Sequence, residues 1–576
     1  LSLGDQNRIP YQETVLMSSL AALKEKLLQS FTPRKMRIFR ESVTGYLFVT
    51  PALVLIFTFG IFPVAFALFV SLHKWRIIRT DFVGLSNFVR AIGNLTYVAA
   101  FFMSIGALYA VYLIIKRIIQ TAREQEQKPY LLAIPGLIST WAIYAFIRYI
   151  WYQLPEFLDI AGKLRGVEKT RELFLQLIRE AFFTPRVYYA WIYFKWIFLG
   201  AILIGILAAV LYRKPQRALF QAQFTLGWFA LGSGLGLMYF TYQQITAAYT
   251  IALETNSDPG IWPQVILISG GIILLVLGWI SWNSAPKTKH NWHFWLRILG
   301  ALIFLTGGWL LIGEIPVLMA SGDNDLWDGL KVTVFFSAGT VPFQLTISMF
   351  LAILLFQKLR GSEFFRMIFF LPYVTPFIAS AAIFRQIFAN RATAPVNLLV
   401  RSLGAESLAW LQESRGINLI LADGLGLTLP DWAAGPSLAL VVVMIHGVWT
   451  YVGYNTVIYL AGLGNIPTEL NDAAEIDGAN KWDIFRFVTF PLLSPTTYFL
   501  SLIAIIGTFK AFATLWVFRE GLALGTTDTF SVAIFLEFFE KLRYGYASAM
   551  AFVLFAIILG LTVINNRFQG SKVFYL

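Results

Sequence analysis

The chain has 576 residues, of which 57% are apolar and only 13% are charged. Ordinary soluble domains carry about 25% charged residues, so this composition excludes a soluble globular protein and favours a polytopic α-helical membrane protein. The absence of cysteine excludes disulfides and thiolate metal sites, and four histidines leave little for a histidine metal centre. A net charge of +13 is typical of basic cytoplasmic loops and does not by itself indicate nucleic-acid binding.

Residues 1–45 are polar and basic and predict a cytoplasmic N-terminal segment without a signal peptide. After this segment, each apolar run of about 20 residues predicts a membrane-spanning helix, because lipid offers no hydrogen-bond partners to an unpaired backbone. Twelve such runs are predicted, at 46–71, 98–117, 130–151, 187–212, 217–243, 263–282, 295–319, 330–357, 364–388, 435–460, 491–512 and 548–567. Residues 569–576 form the predicted cytoplasmic C-terminus.

The distribution of Lys and Arg sets the orientation of these spans. With the N-terminus inside, the inside segments have an excess of basic residues and the outside segments a slight excess of acidic residues. We therefore predict a multi-pass protein of the cell membrane, plasma or inner, with both termini cytoplasmic. The sizeable external segments are 152–186, 389–434 and 513–547. The first predicts an amphipathic helix, lying either in the membrane interface or over the bundle as a solvated cap.

The cytoplasmic segment 465–491, between the tenth and eleventh spans, predicts two short helices joined by a tight turn. Glu469 falls in the first turn of the first helix, where the helix dipole favours an acid. Gly478 suits a left-handed stop. Asn480 and Asp483 have the spacing of a capping box at the start of the second helix. These residues alone predict a rigid cytoplasmic elbow.

The sequence of this elbow closely resembles the EAA loop of permease subunits in binding-protein-dependent ABC importers. The family pattern is Glu-Ala-Ala, three residues, Gly, nine residues, Ile, one residue and Leu-Pro. The positions that match it in order and spacing, with Asp for Glu, Val for Ile and Phe for Leu, are Asp472, Ala473, Ala474, Gly478, Val488, Phe490 and Pro491. The stretches "IPTEL" (466–470) and "DAAEIDGA" (472–479) are typical of the carbohydrate-uptake members.

The resemblance implies that the loop couples this chain to a separate ATPase. The residues implied for coupling are Glu469, Asp472, Ala473, Ala474, Asp477, Gly478 and Pro491. It also implies the partners: ABC ATPase subunits, a second permease subunit that completes a heterodimer, an extracytoplasmic solute-binding protein and a sugar-like solute. ATP and Mg²⁺ would be bound by the ATPase. We accordingly expect no cofactor, metal ligand or catalytic residue in this chain, which lacks the phosphate-binding G-x-x-x-x-G-K-[ST] pattern.

Other stretches resemble the six-span core of the same family, interrupted by an insertion. Residues 46–93 correspond to the first core span with its external segment, and 324–568 to the rest of the core. The insertion, 94–323, contains six predicted spans, an even number as required, because both flanking core pieces face outside. The insertion could be a scaffold, a partner-docking element or a lipid-facing regulatory bundle.

The solute path should lie near mid-membrane, where aromatic faces stack on sugar rings and polar groups bind hydroxyls. The predicted solute-path residues are Tyr373, Trp449, Tyr451, Tyr454, Asn455 and Lys510. Polar groups such as Asn455 are costly within a membrane and usually face a cavity or a partner. The aromatic residues could instead belong to interfacial belts. Lys510 could form a structural ion pair or extend to the surface.

The sequence is also compatible with other functions, and several polar residues bear on them. A permease for glycerol phosphate or a polyol is the main alternative. An ion-coupled secondary transporter would need intramembrane acids, and Glu314 is the only one in the predicted spans. His290 and His293 could bind a metal, although an interfacial turn explains them as well. The intramembrane basic residues Arg148, Lys195 and Arg385 could belong to a solute pathway, although pairing within the bundle explains them as well. Beyond the solute and the partner proteins, we expect contact with membrane lipid and none with nucleic acid.

Overall fold

The computed structural model describes residues 33–569 apart from short gaps at 77–78, 165, 213, 215, 256–259, 289, 314, 316–321, 358–359, 520–522 and 524. The described residues are almost entirely helical, with one two-stranded hairpin among them. The predicted all-α membrane fold is therefore confirmed. Residues 1–32 and 570–576 and Glu314 lie outside the described residues, so the expectations for both chain ends and for this acid stay predictions.

The chain divides into two compact units. The first consists of the described residues up to 83 together with residues 534–561. Its elements are α1 (Pro33–Ile56), a π-helical turn (Phe57–Ile61), α2 (Phe62–Ser71), β1 (His73–Trp75), β2 (Arg79–Phe82) and a second π-helical turn (Leu536–Glu540). The strands pair antiparallel, with His73 opposite Phe82. Buried Glu537 accepts from Lys541 Nζ at 2.8 Å and lies 3.5 Å from Arg543 Nη1, so its charge is compensated within the unit.

The second unit contains the remaining described residues, from 84 to 533 and from 562 to 569. The elements of the predicted insertion and its entry are α3 (Ser86–Ile92), α4 (Leu95–Glu124), α5 (Ala133–Lys163), α6 (Arg171–Phe183), α7 (Pro185–Leu211), α8 (Arg217–Glu254), α9 (Ile261–Ser284) and α10 (Asn291–Ile312). Those that follow are α11 (Asn324–Phe356), α12 (Ser362–Val374), α13 (Phe377–Ile387), α14 (Pro395–Ser402), α15 (Ile417–Gly424), α16 (Leu438–Gly464), α17 (Thr468–Ile476), α18 (Lys481–Ile484), α19 (Phe490–Leu492), α20 (Ser494–Phe509), α21 (Ala513–Phe518) and α22 (Phe530–Phe535). The last helix, α23 (Tyr544–Gln569), begins in the first unit.

Among the described residues, nine helices are long and apolar enough to cross a membrane, or eleven if each of two bent pairs is one span. The remaining predicted span, 217–243, lies inside α8, a helix of 38 residues that is not among those eleven. At a rise of about 1.5 Å per residue, α8 is longer than a bilayer core of about 30 Å. The count of twelve spans stays a prediction, as does the division of the chain into core and insertion.

Two spans predicted as continuous, 364–388 and 491–512, are broken in the structure. The first consists of α12 and α13, which meet at 94°. Pro376 has no backbone N–H to donate and holds Thr375 before it in an extended conformation, so the helix stops there. The second predicted span begins at α19 and continues as α20, and the helix bends by 59° just before Ser494. Pro495 lies at the second position of α20 and has no backbone N–H to donate to the preceding turn, which favours a break at this point although Leu493 keeps helical dihedral angles.

In the inserted region, α4 packs along α8, α5 packs against α7 and α8, and α9 and α10 form an antiparallel hairpin. The predicted amphipathic helix of segment 152–186 is confirmed as α6. Its residues Leu177 and Ala181 are buried against Ile160 of α5. Whether α6 lies in the membrane interface or over the bundle stays open.

In the part that resembles the permease core, α16 packs against α11 and α12, and α20 packs against α11. A hydrogen bond connects α11 and α16: Ser348 Oγ of α11 donates to the Val452 carbonyl of α16 at 2.8 Å. The buried ring of Tyr459 lies in the apolar cluster between these helices, and its hydroxyl donates to Thr497 Oγ1 at 3.2 Å. These contacts position the side chains that line the candidate site.

Segment 389–434, which is predicted to be external, is organised around one buried amide. The Asn397 side chain accepts from the Leu408 N–H at 3.0 Å and from Trp410 Nε1 at 2.9 Å. Its Nδ2 donates to the Ala389 carbonyl at 3.2 Å. A turn follows α15, with Gly426 at φ +69°. These contacts give the segment a local folded structure.

Candidate solute cavity and coupling loop

A cavity of about 500 Å³ lies between the helices of the core-like region. Residues of α11, α12, α16, α20 and α21 line it, together with the short connection that follows α20. Five of the six predicted solute-path residues are among them: Tyr373, Tyr451, Tyr454, Asn455 and Lys510. The structure therefore brings together side chains that are separated by as many as 137 positions in the sequence, although their contact with a solute stays a prediction.

Three tyrosines form one aromatic wall of the cavity. The rings of Tyr373 and Tyr454 are stacked, with centroids 4.6 Å apart and an interplanar angle of 23°. Tyr451 meets Tyr373 edge to face at 5.9 Å. Flat apolar ring faces beside phenolic hydroxyls are suited to sugars, which also have apolar faces and hydroxyl edges.

Two polar groups are directed at the same cavity. Asn455 is only 4% exposed, and its Nδ2 is buried without a hydrogen-bond partner among the described residues. Lys510 is exposed, follows the last residue of α20 and forms no ion pair with any described residue. A buried donor that lacks a partner costs about 1–3 kcal/mol, so a solute that accepts its hydrogen bond gains that amount of stabilisation.

Helical periodicity explains which residues of α16 line the cavity. Tyr451 follows Gly447 by four residues, and Tyr454 and Asn455 follow Tyr451 by three and four, so all of them lie toward one face of the helix. Trp449 is two residues after Gly447 and faces another way, with its ring 5.2 Å from Phe384. The structure therefore does not bring Trp449 to the cavity, and its inclusion in the solute path is not supported by this geometry.

Helix α11 contributes lining residues that are not among the predicted solute-path residues. Phe336, Thr340 and Gln344 recur every four residues and line the cavity opposite α16. Gln344 is 3% exposed, and Thr340 is 2% exposed with its hydroxyl donating to the Phe336 carbonyl at 2.5 Å. The i, i+4 spacing of two polar residues within an apolar span was the signal that could have identified them.

Close helix contact holds the tyrosine wall in place. Gly453 of α16 lies against the carbonyl of Phe369 and the Cα of Phe370 in α12, so closely that a β-carbon at this position would overlap them. The absence of a side chain lets the two backbones approach each other, as small residues do between membrane helices. This contact sets the position of α12 and hence of Tyr373 over Tyr454.

The predicted elbow is built as the sequence indicates. Helix α17 ends at Ile476, and Gly478 follows with φ +82°, the left-handed stop. The Asn480 side chain accepts from the Trp482 N–H at 2.8 Å and from the Asp483 N–H at 3.0 Å, while Asp483 accepts from the Asn480 N–H. The capping box is therefore confirmed. A π-helical turn at Phe485–Thr489 follows α18 and shifts the helical register before the next span.

The predicted coupling residues lie on the surface of this loop. Ala474 and Pro491 are half-buried, and the exposed ones are Glu469, Asp472, Ala473, Asp477 and Gly478. Beside them, Ile476 is 86% exposed and Trp482 is 64% exposed. The loop therefore presents large apolar side chains beside exposed acidic ones.

The other candidates have local explanations. His290 and His293 lie at the start of α10 with ring centroids 5.9 Å apart, and no group of three or more metal-ligating side chains occurs among the described residues. Arg148 of α5 lies over the rings of Tyr152 and Tyr193. Arg385 donates to the Val517 carbonyl at 3.2 Å.

Comparison with known proteins places these features in a family. Residues 344–571 match the family described as binding-protein-dependent transport system inner membrane component. The probable ABC transporter permease protein YesP of Bacillus subtilis is 31% identical over 260 residues, which are 45% of this chain and 76% of YesP. The lactose transport system permease protein LacF of Rhizobium radiobacter is 30% identical over 240 residues, which are 41% of this chain and 73% of LacF.

A third relative, the sn-glycerol-3-phosphate transport system permease protein UgpA of Agrobacterium fabrum, is 28% identical over 254 residues, which are 44% of this chain and 78% of UgpA. The chain belongs to the family of binding-protein-dependent transport system inner membrane components. It is a multi-pass membrane permease subunit, and the predicted family is confirmed.

Proposed function

We propose that this chain forms part of the solute path of an ATP-driven importer for a sugar or sugar derivative. The observation that carries the proposal is the cavity of about 500 Å³, which is lined by the stacked rings of Tyr373 and Tyr454 and by the Asn455 Nδ2, a donor without a partner among the described residues. Stacked rings provide an apolar face for a sugar, and the amide donates to one of its hydroxyls. The name of the relative LacF, a lactose permease, supports a carbohydrate solute.

The loop 465–491 docks on the ATPase in this proposal. Its exposed Ile476 and Trp482 lose contact with water when they enter a groove on the partner, and its rigid turn at Gly478 carries the motion to the helices on either side. ATP and Mg²⁺ are bound by the ATPase subunits. The cycle of that partner moves the spans between outward-open and inward-open states.

The complete transporter contains two ATPase subunits, a second permease that forms a heterodimer with this chain, and an extracytoplasmic solute-binding protein. The acidic and apolar loop surface supports the ATPase contact, and the family description supports the binding protein. Both termini of the chain are cytoplasmic in this arrangement.

A second candidate solute is an anionic one such as glycerol phosphate. The specific observation in its favour is Lys510, a cation at the cavity without an ion pair to any described residue. A phosphate group would supply the missing charge partner. The name of the relative UgpA supports this alternative.

Solute-stimulated ATP hydrolysis by the reconstituted complex tests the proposal and distinguishes the two candidate solutes. Asn455→Leu should reduce lactose-stimulated ATP hydrolysis about tenfold, because the solute loses one hydrogen bond to a buried donor. Lys510→Met should leave lactose stimulation intact if the solute is neutral, and should abolish stimulation by glycerol 3-phosphate if it is anionic. Lys331→Met, which removes an exposed cation outside the cavity, is the control. Wild-type stimulation by every solute tested in both cavity variants would refute the assignment.

A further inference from the structure

A second cavity, of about 570 Å³, lies between α5, α7 and α8, far in sequence from the proposed solute path. The aromatic rings of Phe146, Phe194 and Phe198 line one part of it. Phe146 and Phe198 are nearly half exposed in the isolated chain, at 45% and 47%, so the cavity is open at its side. Because α5 and α7 are apolar enough to cross the membrane, this opening faces the hydrocarbon region or a partner within it.

The two polar side chains of the lining, Ser139 and Gln221, lie at one end of the cavity. Ser139 is within two turns of the start of α5, and Gln221 is just over one turn into α8. The same helix ends are held together where Tyr212, which follows α7, donates from its hydroxyl to Gln127 Oε1 at 3.0 Å. The cavity is therefore apolar over most of its length and has its two polar side chains at the end near Arg217.

An unpaired cation lies next to this polar end. Arg217 precedes Gln221 by four residues and shares its face of α8. Its Nε is buried and has no hydrogen-bond partner among the described residues. Lys214 and Lys128 are exposed in the adjoining connections, where Glu124 and Glu126 are also exposed. A half-buried guanidinium with an unused donor indicates a missing anion.

We propose that this site binds an anionic phospholipid, with one acyl chain in the cavity and the phosphate on Arg217. The gradient from phenylalanine rings to Gln221 and Arg217 matches the order of groups along a lipid, from hydrocarbon to headgroup. Basic pockets between membrane helices on the cytoplasmic side bind anionic headgroups. The topology predicted from Lys and Arg places this end of the bundle on that side, so the lipid belongs to the inner leaflet. The site is independent of the proposed solute path.

Native mass spectrometry of the purified full-length chain tests this proposal. The chain is incubated with phosphatidylglycerol or phosphatidylcholine of the same acyl composition, and the retained lipid is counted. Wild type should retain one phosphatidylglycerol in preference to phosphatidylcholine. Arg217→Gln should reduce that preference about fivefold, the effect of about one basic residue near a membrane surface, and Arg217→Lys should keep most of it. Arg186→Gln, at the opposite end of α7, should behave as wild type.

A second pair of variants tests the acyl-chain cavity. Gly205→Leu fills the cavity and should remove both lipids, whereas Gly200→Leu on another face of α7, where a β-carbon meets open space, should not. If Gly205→Leu does not fold, the Arg217 variants decide alone. Equal retention of the two lipids by wild type, or the same preference in Arg217→Gln as in wild type, would overturn the proposal. Loss of a co-purified protein without any change in lipid would assign the groove to a partner helix and would overturn it too.

Discussion

At the scale of single residues, Glu413 shows how a hydrogen bond controls the charge of the external segment. Its carboxylate accepts from the Arg415 backbone N–H at 3.1 Å, and the Arg415 Nε lies 3.4 Å away. The backbone hydrogen bond, followed by the interactions with the Arg415 side chain, lowers the pKa of Glu413 below its usual value of 4.5. The ionised form is therefore the one that stabilises the folded segment.

The sign of the pH dependence follows from this lowered pKa. The stabilisation is fully present above the usual carboxyl pKa and is lost as the pH falls through the lower pKa of the folded state. We expect the thermal stability of the wild type in detergent to fall between about pH 5 and pH 3 by more than that of Glu413→Gln. Glu406→Gln, which removes an exposed acid from the same segment, should keep the wild-type slope. Parallel curves for wild type and Glu413→Gln would contradict the prediction.

At the scale of elements, the contact between α12 and α16 depends on Gly453. Gly453→Ala should destabilise the protein by about 1–3 kcal/mol, because the added methyl group forces the two backbones apart. It should also weaken solute stimulation by displacing Tyr373 from Tyr454. Gly464→Ala at the end of the same helix, where a β-carbon meets no atom within 4 Å, should leave stability unchanged or slightly raised. Equal melting temperatures for both variants would refute this account of the contact.

The turn between α17 and α18 offers a test of the proposed coupling. Gly478→Val places a branched side chain at φ +82°, where the left-handed conformation costs an L-residue about 1–2 kcal/mol. No atom lies within 4 Å of the added β-carbon, so the expected effect comes from the backbone alone. We expect solute-stimulated ATP hydrolysis by the complex to fall about tenfold while solute binding is retained.

Gly404→Val is the matched control for that turn. Gly404 has φ +85° and equally open surroundings, but it lies in the segment predicted to be external. If that topology holds, the same backbone strain is applied on the opposite side of the membrane, where it should not affect coupling. A fully active Gly478→Val complex with the ATPase still bound would contradict the docking of this loop.

At the scale of the whole molecule, apolar run length predicts most of the long helices, because burial in lipid requires a continuous hydrogen-bonded backbone. Run length does not predict the breaks at Pro376 and near Pro495, which depend on a missing backbone donor and leave the local composition apolar. The capping box at Asn480 was predictable because its partners are three residues apart.

The candidate cavity was predictable only in part. Tyr451, Tyr454 and Asn455 could be chosen as intramembrane aromatic and polar residues, but the face they share became clear only with the helix orientation. Trp449 was chosen by the same criterion and lies on another face. Gln344 lies in an otherwise apolar span, and only the helix packing shows that it faces the same cavity. Side-chain chemistry was therefore readable from the sequence, whereas the pairing of helix faces required the three-dimensional structure.

The number of spans in the whole molecule depends on whether α8 crosses the membrane. Because the chain contains no cysteine, single introduced cysteines can test this by labelling. Single cysteines at Lys214 and Glu254, close to the two ends of α8, carry no background reactivity. If α8 crosses the membrane as predicted, a membrane-impermeant maleimide should label Glu254→Cys in intact cells and label Lys214→Cys only after permeabilisation. The orientation follows from the excess of basic residues in the inside segments. Labelling of both cysteines from the same side would show that α8 does not cross the membrane. The insertion would then contain an odd number of spans, and the two core pieces that flank it could not both face outside as predicted.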